Sequence, residues 1–377
     1  MRPMERCDVI VVGAGMAGAS AAYWLAERGR VAVLEQEEVA GYHATGRSAA
    51  MYMETYGGPL TRGLATAGHA FLAEPPAGFA ASPLLSPRPV LYVGRADQVE
   101  ALDRLYGENR PRVPTLARLG PAETLEHAVP LREDYVVGAV LEPAAHEIDV
   151  DALHQGYLRG LRARGGRLVT EAAVTALVRE GGLWHAETAA GTYAAPVVVN
   201  AAGAWCDVVA ALAGIAPLGL QPKRRTAFIF DAPAGDGADD WPMLHDVGDA
   251  FYVKPDAGRL LGSPADETPS EPCDAYPEEL DIAIGADRIM QAAALDIRHI
   301  RNKWAGLRSF VRDRQPVAGF DEAAEGFFWL AGQGGAGIMT APALGALTAA
   351  IVTGAPLPDE ASARGITVAQ LGPGRVR

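Results

Sequence analysis

DVIVVGAGMAGASAAYWLAERGRVAVLE, residues 8–35 of a chain of 377 residues, contains the pattern that decides the fold. An apolar strand leads into a glycine-rich turn, a helix and a second apolar strand, which together make a βαβ unit. Gly13 permits the tight turn, Gly15 lets backbone approach a pyrophosphate, and Gly18 lets the helix meet the strand. Glu35 ends the second strand, where a carboxylate accepts hydrogen bonds from a ribose diol. The stretch therefore predicts a bound dinucleotide, and it leaves FAD and NAD open because both use this motif.

Two later segments place an apolar strand before small residues in the same way. They are VVVNAAGAW at 197–205 and FFWLAGQGGAGI at 327–338. A nucleotide-binding sheet assembled from distant pieces of one chain has this arrangement. The stretches between them, about 55–145 and 221–300, are richer in proline and carry short β-like runs. Helices are predicted up to about residue 28, over 151–164 and over 338–352.

These patterns predict an α/β protein (α+β, two-domain) with a Rossmann-like dinucleotide-binding domain. A discontinuous substrate domain on a mixed or antiparallel β-sheet is inserted into it. The dinucleotide domain is predicted from 1–54, 146–220 and 309–377, and the substrate domain from 55–145 and 221–308.

The composition indicates a small molecule as the partner. The net charge is −13, and acidic and basic residues are mixed along the chain, which argues against nucleic acid or anionic lipid. Cys7, Cys206 and Cys273 are widely spaced, so neither a disulfide framework nor a metal site is predicted, and a cytoplasmic location fits. No stretch has the roughly 18 uninterrupted apolar residues of a membrane span, so no integral membrane segment is predicted.

Three motifs resemble the D-amino-acid oxidase family of FAD-dependent oxidoreductases. They are GYHATGRSAA at 41–50, the segment 197–205 and QGGAGI at 333–338, in the family's order and at plausible separations. Within that family, strings such as DALHQGYLRG at 151–160 and WAGLRSFV at 304–311 are most similar to bacterial D-arginine dehydrogenases. The resemblance covers nearly the whole chain.

This resemblance implies FAD as the cofactor, and a noncovalent FAD because no cysteine lies in the C-terminal glycine loops. The residues then expected to bind FAD are Gly13, Gly15, Ala17, Gly18, Glu35, Gln36, Ala44, Thr45, Gly46, Arg47, Ser48, Ala49, Ala50, Met51, Val174, Ala202, Gly203, Trp205, Gly332, Gly334, Gly335, Ala336, Gly337, Ile338 and Met339.

Arginine suits the binding of an amino-acid carboxylate because its planar fork donates two hydrogen bonds to it. Arg308 and Arg225 are the candidates, and the resemblance implies that both hold the substrate carboxylate, with hydroxyl contacts from Tyr56 and Tyr252. Because adjacent residues of a strand point to opposite faces, only one of Arg224 and Arg225 can face the substrate.

The third glycine loop is expected to bring backbone at Gly335 close to the flavin ring and the substrate. The predicted reaction is hydride transfer from the Cα of a D-amino acid to flavin N5. The imino acid formed then hydrolyses to a 2-oxo acid and ammonia. The resemblance favours a dehydrogenase over an oxidase, and the sequence leaves quinone and oxygen open as acceptors.

The chain departs from the D-arginine dehydrogenase pattern in the substrate pocket. Val90 occupies the position of an acidic residue, and Met51 occupies that of a histidine. With Met53 nearby, these side chains predict a preference for apolar D-amino acids over D-arginine. His245 and Asp246 are predicted to border the pocket, where a polar or cationic group is an alternative ligand.

Three other functions remain open at this stage. A secondary amine such as sarcosine, proline or an opine, or the primary amine glycine, would use the same carboxylate site. An NAD-dependent dehydrogenase and a flavin-binding protein without catalysis are the other two.

Overall fold

A computed structural model describes residues 4–127, 130–233 and 237–377. In these ranges, six strands form a sheet, the parallel sheet, in which all pairs but the last are parallel. Its order is Arg167–Val169, Val31–Leu34, Val9–Val12, Val197–Asn200, Phe327–Ala331 and Val317–Phe320. The three predicted strands that precede small residues are therefore neighbours at the centre of this sheet.

Helices cover one face of the parallel sheet. The helix Met16–Leu25 packs on Val150–Ala163 and on Gly337–Thr353, which also contacts Pro59–Ala73. Its contact with Gly337–Thr353 is close, since a Cβ atom at Gly345 would lie 2.8 Å from the backbone carbon of Ser20. The predicted helices are confirmed, although the first ends at Leu25 rather than near residue 28.

A small sheet covers the opposite face and shares a hydrophobic core with the parallel sheet. It consists of Glu5–Arg6, Gly191–Ala195, Leu183–Thr188 and Ala176–Glu180. The short helices Cys206–Leu212, Asp359–Ser362 and Val368–Leu371 complete this part of the fold.

Nine strands of the described residues form a second sheet, the large mixed sheet. Its path is Thr268–Pro269, Gln221–Phe230, Arg259–Ser263, Tyr252–Asp256, Met243–Asp246, Val90–Gly94, Gly138–Glu142 and Ala117–Leu119, with Ile300–Phe310 paired along Gln221–Phe230. The sheet is mixed because Met243–Asp246 and Val90–Gly94 are parallel. The helices Val99–Asn109, Pro121–Leu125 and Glu279–Ala292 pack near its strands.

A three-stranded sheet consists of Met51–Tyr52, His146–Ile148 and Leu85–Pro87. The first two strands lie next to predicted domain boundaries, and the third lies within the predicted substrate segment 55–145. The mixed α/β fold agrees with the prediction. The division into two domains at the stated residues stays a prediction. In the described ranges, no helix is both long and apolar enough to cross a membrane.

The glycines of the first turn are required by the backbone. Gly13 has a φ of +97°, and a Cβ atom there would lie 2.6 Å from the carbonyl oxygen of Ala201. A Cβ atom at Gly18 would collide with the carbonyl oxygen of Gly13. The turn and the helix that follows it can therefore approach the sheet only with glycine at these positions.

Candidate active site

One cleft runs from the carboxyl ends of the central parallel strands to a face of the large mixed sheet. In open α/β sheets, ligands bind at this edge because the loops and helix N-termini converge there. Loops that follow Val9–Val12, Val197–Asn200 and Phe327–Ala331 line one end, and strands of the large mixed sheet line the other. The cleft thus joins the predicted dinucleotide site to the predicted substrate site.

At the dinucleotide end, Glu35 is buried and fixed by the backbone. Its carboxylate accepts hydrogen bonds from the amides of Ala14, at 2.7 Å, and Glu37, at 3.0 Å. Thr45 Oγ1 accepts a hydrogen bond from the Met16 amide at 2.9 Å, which ties the segment 41–50 to the first helix. The carboxylate is therefore held beside the glycine turn.

His154 supports this turn from the neighbouring helix. Its Nε2 lies 2.8 Å from the carbonyl oxygen of Ala14, and burial lowers the pKa of the imidazole. A neutral ring that donates to a carbonyl is consistent with packing rather than with catalysis.

The two candidate arginines lie on paired antiparallel strands. Arg308 is opposite Lys223, and Arg225 is opposite Gly306, so Arg225 and Arg308 share one face of the large mixed sheet. Both side chains line the cleft. Arg224 points away from it.

Arg224 is occupied by surface acids. Its guanidinium lies 3.0 Å from Glu278 Oε1 and 2.8 Å from Asp281 Oδ2. Adjacent residues of the strand point to opposite faces, and the sequence alone did not show which arginine faces the substrate. The structure places Arg225, and not Arg224, in the cleft.

Both cleft arginines lack strong partners among the described residues. Arg225 is buried, its Nε has no hydrogen bond, and its ion partner, Glu267 Oε1, lies 3.6 Å from Nη2. Arg308 makes no hydrogen bond or ion pair with any described residue. A buried guanidinium without a partner is costly, so this pair is suited to an anionic ligand.

The electrostatic surroundings of the two arginines differ. Burial and the charge of Arg308 lower the pKa of Arg225. Burial also lowers the pKa of Arg308, but Tyr56, Tyr252 and Asp249 outweigh it and raise that pKa overall. Both guanidiniums remain charged at neutral pH because arginine keeps its proton in proteins.

The third glycine loop passes directly against this anion site. A Cβ atom at Gly335 would collide with the hydroxyl of Tyr56 and lie 3.0 Å from Arg308 Nη1. Gln333 in the same loop lines the cleft, and its buried Nε2 has no partner among the described residues. The loop thus offers open backbone and an unused donor next to the arginines.

Methionines form much of the remaining wall of the pocket. Met51, Met53 and Met243 line the cleft together with Tyr252. Val90 does not line it, since its side chain is fully buried in the core cluster that contains these methionines. It therefore stands behind the pocket wall rather than in it.

His245 lines the cleft as predicted, but Asp246 does not. Asp246 is fully buried and accepts hydrogen bonds from the amides of Gly248 and Ala250. The acid that lines the cleft is Asp249, which the sequence reasoning missed. The signal for it was its place in a polar turn between two strands, DVGDA at 246–250.

The comparison with known families now decides the class of protein. The model of the FAD dependent oxidoreductase family (DAO) matches residues 8–351. The chain belongs to this family. FAD is its cofactor, and the protein is an oxidoreductase of amino acid or amine CH–NH groups.

Three known proteins are similar to this chain in sequence or in fold. Glycine oxidase of Geobacillus kaustophilus is 26% identical over 92% of this chain and 93% of its own length, and its crystal structure gives a TM-score of 0.83 over 94% and 96%. L-proline dehydrogenase from P. horikoshii has a TM-score of 0.84 at 21% identity, covering 99% of this chain and 98% of its own. L-alpha-glycerophosphate oxidase from Mycoplasma pneumoniae, with FAD bound, has a TM-score of 0.82 at 18% identity, covering 93% and 95%.

The cleft of this DAO protein fits FAD by its own chemistry. Gly13 and Gly15 leave no side chain over the N-terminus of the first helix, where a pyrophosphate is stabilised. The Glu35 carboxylate is suited to a ribose diol, and the unpartnered Gln333 amide to a ring heteroatom. The similarity to D-arginine dehydrogenases stays a prediction.

Most residues expected to bind FAD line the cleft. They are Gly13, Gly15, Ala17, Glu35, Gln36, Ala44, Thr45, Arg47, Ser48, Ala49, Ala50, Met51, Val174, Ala202, Gly203, Trp205, Gly334, Gly335, Gly337, Ile338 and Met339. Gly18, Gly46, Gly332 and Ala336 do not line it and instead support the backbone around it. Gly46, for example, donates its amide hydrogen to the carbonyl of Gly41 at 2.8 Å.

Arg47 lines the cleft, but its guanidinium is engaged elsewhere. It donates to the carbonyls of Ala275, at 2.9 Å, and Ala305, at 3.0 Å, and forms an ion pair with Asp274. Arg47 therefore ties the segment 41–50 to the large mixed sheet. Any contact of Arg47 with FAD would therefore be made by its backbone and by the methylene groups of its side chain.

Proposed function

We propose that this protein oxidises the Cα–N bond of a D-amino acid. The observation that carries the proposal is the pair Arg225 and Arg308, two cleft guanidiniums without strong partners beside the third glycine loop. FAD, when bound, would supply the hydride acceptor, and the amino group would lose a proton to solvent as the hydride leaves Cα. The imino acid that results hydrolyses to a 2-oxo acid and ammonia.

The residues of the chain act by binding and orientation. The two arginines hold the substrate carboxylate, and the hydroxyls of Tyr56 and Tyr252 donate further hydrogen bonds to it. The open backbone at Gly335 allows the substrate to approach, because any side chain there would push against Tyr56 and Arg308. Fixing one end of the substrate in this way presents the Cα–H bond in one direction.

The pocket wall supports a preference for apolar side chains over D-arginine. Met51, Met53 and Met243 are flexible and polarisable and adapt to aliphatic or aromatic groups. With valine at position 90, that strand offers no carboxylate to a guanidinium. We also favour a dehydrogenase, which passes its electrons to an acceptor such as a quinone, over an oxidase, which passes them to oxygen.

An anaerobic panel of D- and L-amino acids tests this function by the bleaching of bound flavin. D-leucine, D-methionine and D-phenylalanine are expected to bleach it faster than D-lysine and D-arginine, and the L-forms slowly. Air is then admitted, and slow return of the colour identifies a dehydrogenase. A clear preference for D-arginine or for L-amino acids contradicts the proposal.

A second candidate, oxidation of a secondary amine, has support from the named relatives. Glycine oxidase and L-proline dehydrogenase share this fold, and a carboxylate site serves both substrate types equally well. Sarcosine, glycine and proline in the same panel distinguish the two. Faster bleaching by one of them than by any D-amino acid favours this candidate.

A further inference from the structure

Asp249 is an acidic residue in the substrate part of the cleft. Among the described residues, the cleft-lining carboxylates are Glu35 and Asp249. Glu35 lies at the dinucleotide end, where it accepts two backbone hydrogen bonds. Asp249 lies at the other end, where it interacts electrostatically with Arg225 and Arg308.

A tight turn with one left-handed residue carries Asp249. Asp249 has a φ of +62°, in the left-handed region that non-glycine residues seldom occupy. The turn is fixed from below by the fully buried Asp246, which accepts hydrogen bonds from Gly248, at 2.9 Å, and Ala250, at 3.1 Å. The buried Asp246 thus sets the position from which the Asp249 side chain enters the cleft.

His245 fixes the side chain of Asp249. Its Nε2 lies 3.2 Å from Asp249 Oδ1. The imidazole stacks on Tyr252, with centroids 6.0 Å apart and planes at 9°, and contacts the edge of Tyr92. The ring has little freedom to turn, and its buried Nδ1 has no partner in the described part of the chain.

The carboxylate stays ionised at neutral pH. Burial would raise the pKa of Asp249, but His245, Arg225 and Arg308 together lower it to about 2. The Asp249 side chain is 57% exposed in the open cleft, so water screens its charge until a ligand displaces that water; the anion then repels the carboxylate of the ligand. That repulsion is offset only if the ligand also carries a cation, and in an amino acid the ammonium is attached one carbon from the carboxylate.

We propose that Asp249 binds the ammonium group of the substrate, that His245 positions it, and that the pair selects amino acids over carboxylates that lack an amine. This role rests on the proposed function of the same site. In this arrangement the cleft binds both charged groups of an amino acid: two guanidiniums bind the carboxylate, and one aspartate binds the ammonium.

A matched pair of ligands tests the role, since D-leucine and (R)-2-hydroxy-4-methylpentanoate differ only in the ammonium and hydroxyl groups. The enzyme is used with FAD bound, at pH 7 and without oxygen. The apparent Kd of D-leucine comes from the saturation of flavin bleaching, and that of the hydroxy acid from the change in the flavin spectrum.

For Asp249→Asn, the apparent Kd of D-leucine is expected to rise roughly 10- to 100-fold, as for the loss of a charged hydrogen bond. The Kd of the hydroxy acid is expected to stay the same or fall, because a repulsive charge is removed. Asparagine tolerates the left-handed backbone, so the turn is retained. His245→Ala is expected to change the two constants in the same directions, by less.

Asp240→Asn is the control, since it removes the same charge from an exposed position outside the cleft and is expected to change neither constant. If Asp249→Asn raises both constants alike or changes neither, the role of Asp249 is wrong while the carboxylate site stands. If the wild-type protein binds neither ligand and no amino acid bleaches its flavin, the proposed function is wrong as well.

Discussion

Arg225 and Arg224 are adjacent arginines with opposite surroundings, and they form a natural pair for mutation. Arg225 faces the cleft without a close partner, whereas Arg224 pairs with Glu278 and Asp281. We predict that Arg225→Met raises the apparent Kd of D-leucine roughly 10- to 100-fold, since charged hydrogen bonds to the carboxylate are lost. Arg224→Met is expected to leave it unchanged. Anaerobic bleaching of the flavin measures both, and equal effects contradict the assignment of Arg225 to the cleft.

Gly335 gives a second prediction at the scale of one residue. In Gly335→Ala the methyl group would press on Tyr56 and Arg308, so the anion site must shift. We expect kcat/KM to fall on the order of 100-fold, as misplacement of a substrate by about 1 Å does. FAD content and thermal midpoint are expected to change little. Gly107→Ala, where the added atom meets open space on an exposed helix, is the control and keeps full activity.

Single residues also show where the sequence is sufficient and where it is not. Arg308 and Gly335 were predictable as neighbours because both lie in motifs that resemble the family, and Tyr56 because the resemblance implied a hydroxyl contact at the same site. The choice between Arg224 and Arg225 needed the strand register. The polar turn DVGDA at 246–250 is a signal for a polar residue near the cleft, but the direction of Asp249 into it depends on a left-handed conformation that the sequence does not require.

At the scale of elements, a buried acid fastens the segment before Tyr56 to the large mixed sheet. Glu142, at the end of the strand Gly138–Glu142, accepts hydrogen bonds from the Glu54 amide at 2.6 Å and from Thr55 Oγ1 at 2.5 Å. It is almost completely buried, and burial raises its pKa to about 7. The charge state of this carboxyl is therefore coupled to the position of the segment that carries Tyr56.

This coupling predicts a pH dependence of stability. Because the pKa of Glu142 is higher in the folded state than in the unfolded state, its contribution is full below about 4.5 and is lost as the pH rises through about 7. Glu142→Gln removes the titration. The free energy of unfolding of the wild type, relative to this variant, is expected to fall by about 1–3 kcal/mol from pH 5 to pH 8.

Urea unfolding at both pH values measures this difference. Glu133→Gln changes an exposed acid on a neighbouring loop and serves as the control. Its stability is expected to depend on pH in the same way as that of the wild type. A difference between wild type and Glu142→Gln that stays constant from pH 5 to pH 8, or that shifts in favour of the wild type, would show that the fold does not penalise the ionised carboxyl.

The two sheets differ in how much of their structure can be predicted from the sequence. Strands and helices of the parallel sheet were predictable because long apolar runs and glycine turns are local signals. The order of strands in the large mixed sheet was not, since Met243–Asp246 pairs with Val90–Gly94 across about 150 residues and parallel pairing leaves no turn signature. Arg47 shows the same limit, because its partners Asp274 and Ala305 are remote in sequence.

At the scale of the whole molecule, the FAD cleft joins parts of the chain that lie far apart. It is lined by the first glycine turn, by the segment 41–51, and by Gly306 to Ser309 on the large mixed sheet. A ligand that contacts all of these stabilises only the arrangement in which they meet. The cofactor is thus expected to contribute to the stability of the fold as well as to the reaction.

Removal of FAD tests this contribution. A ligand that binds only the folded protein stabilises it by RT ln(1 + [L]/Kd), about 4 kcal/mol at a free concentration 1,000-fold above Kd. We predict that the thermal midpoint of the apoprotein lies below that of the holoprotein and rises with the logarithm of added FAD. NAD at the same concentrations is expected to leave the midpoint unchanged. The motif of residues 8–35 would accept either dinucleotide, but the other residues that line the cleft match an FAD site. A midpoint that does not respond to FAD would mean that the cleft closes without its cofactor, and that the glycine loops are held by protein contacts alone.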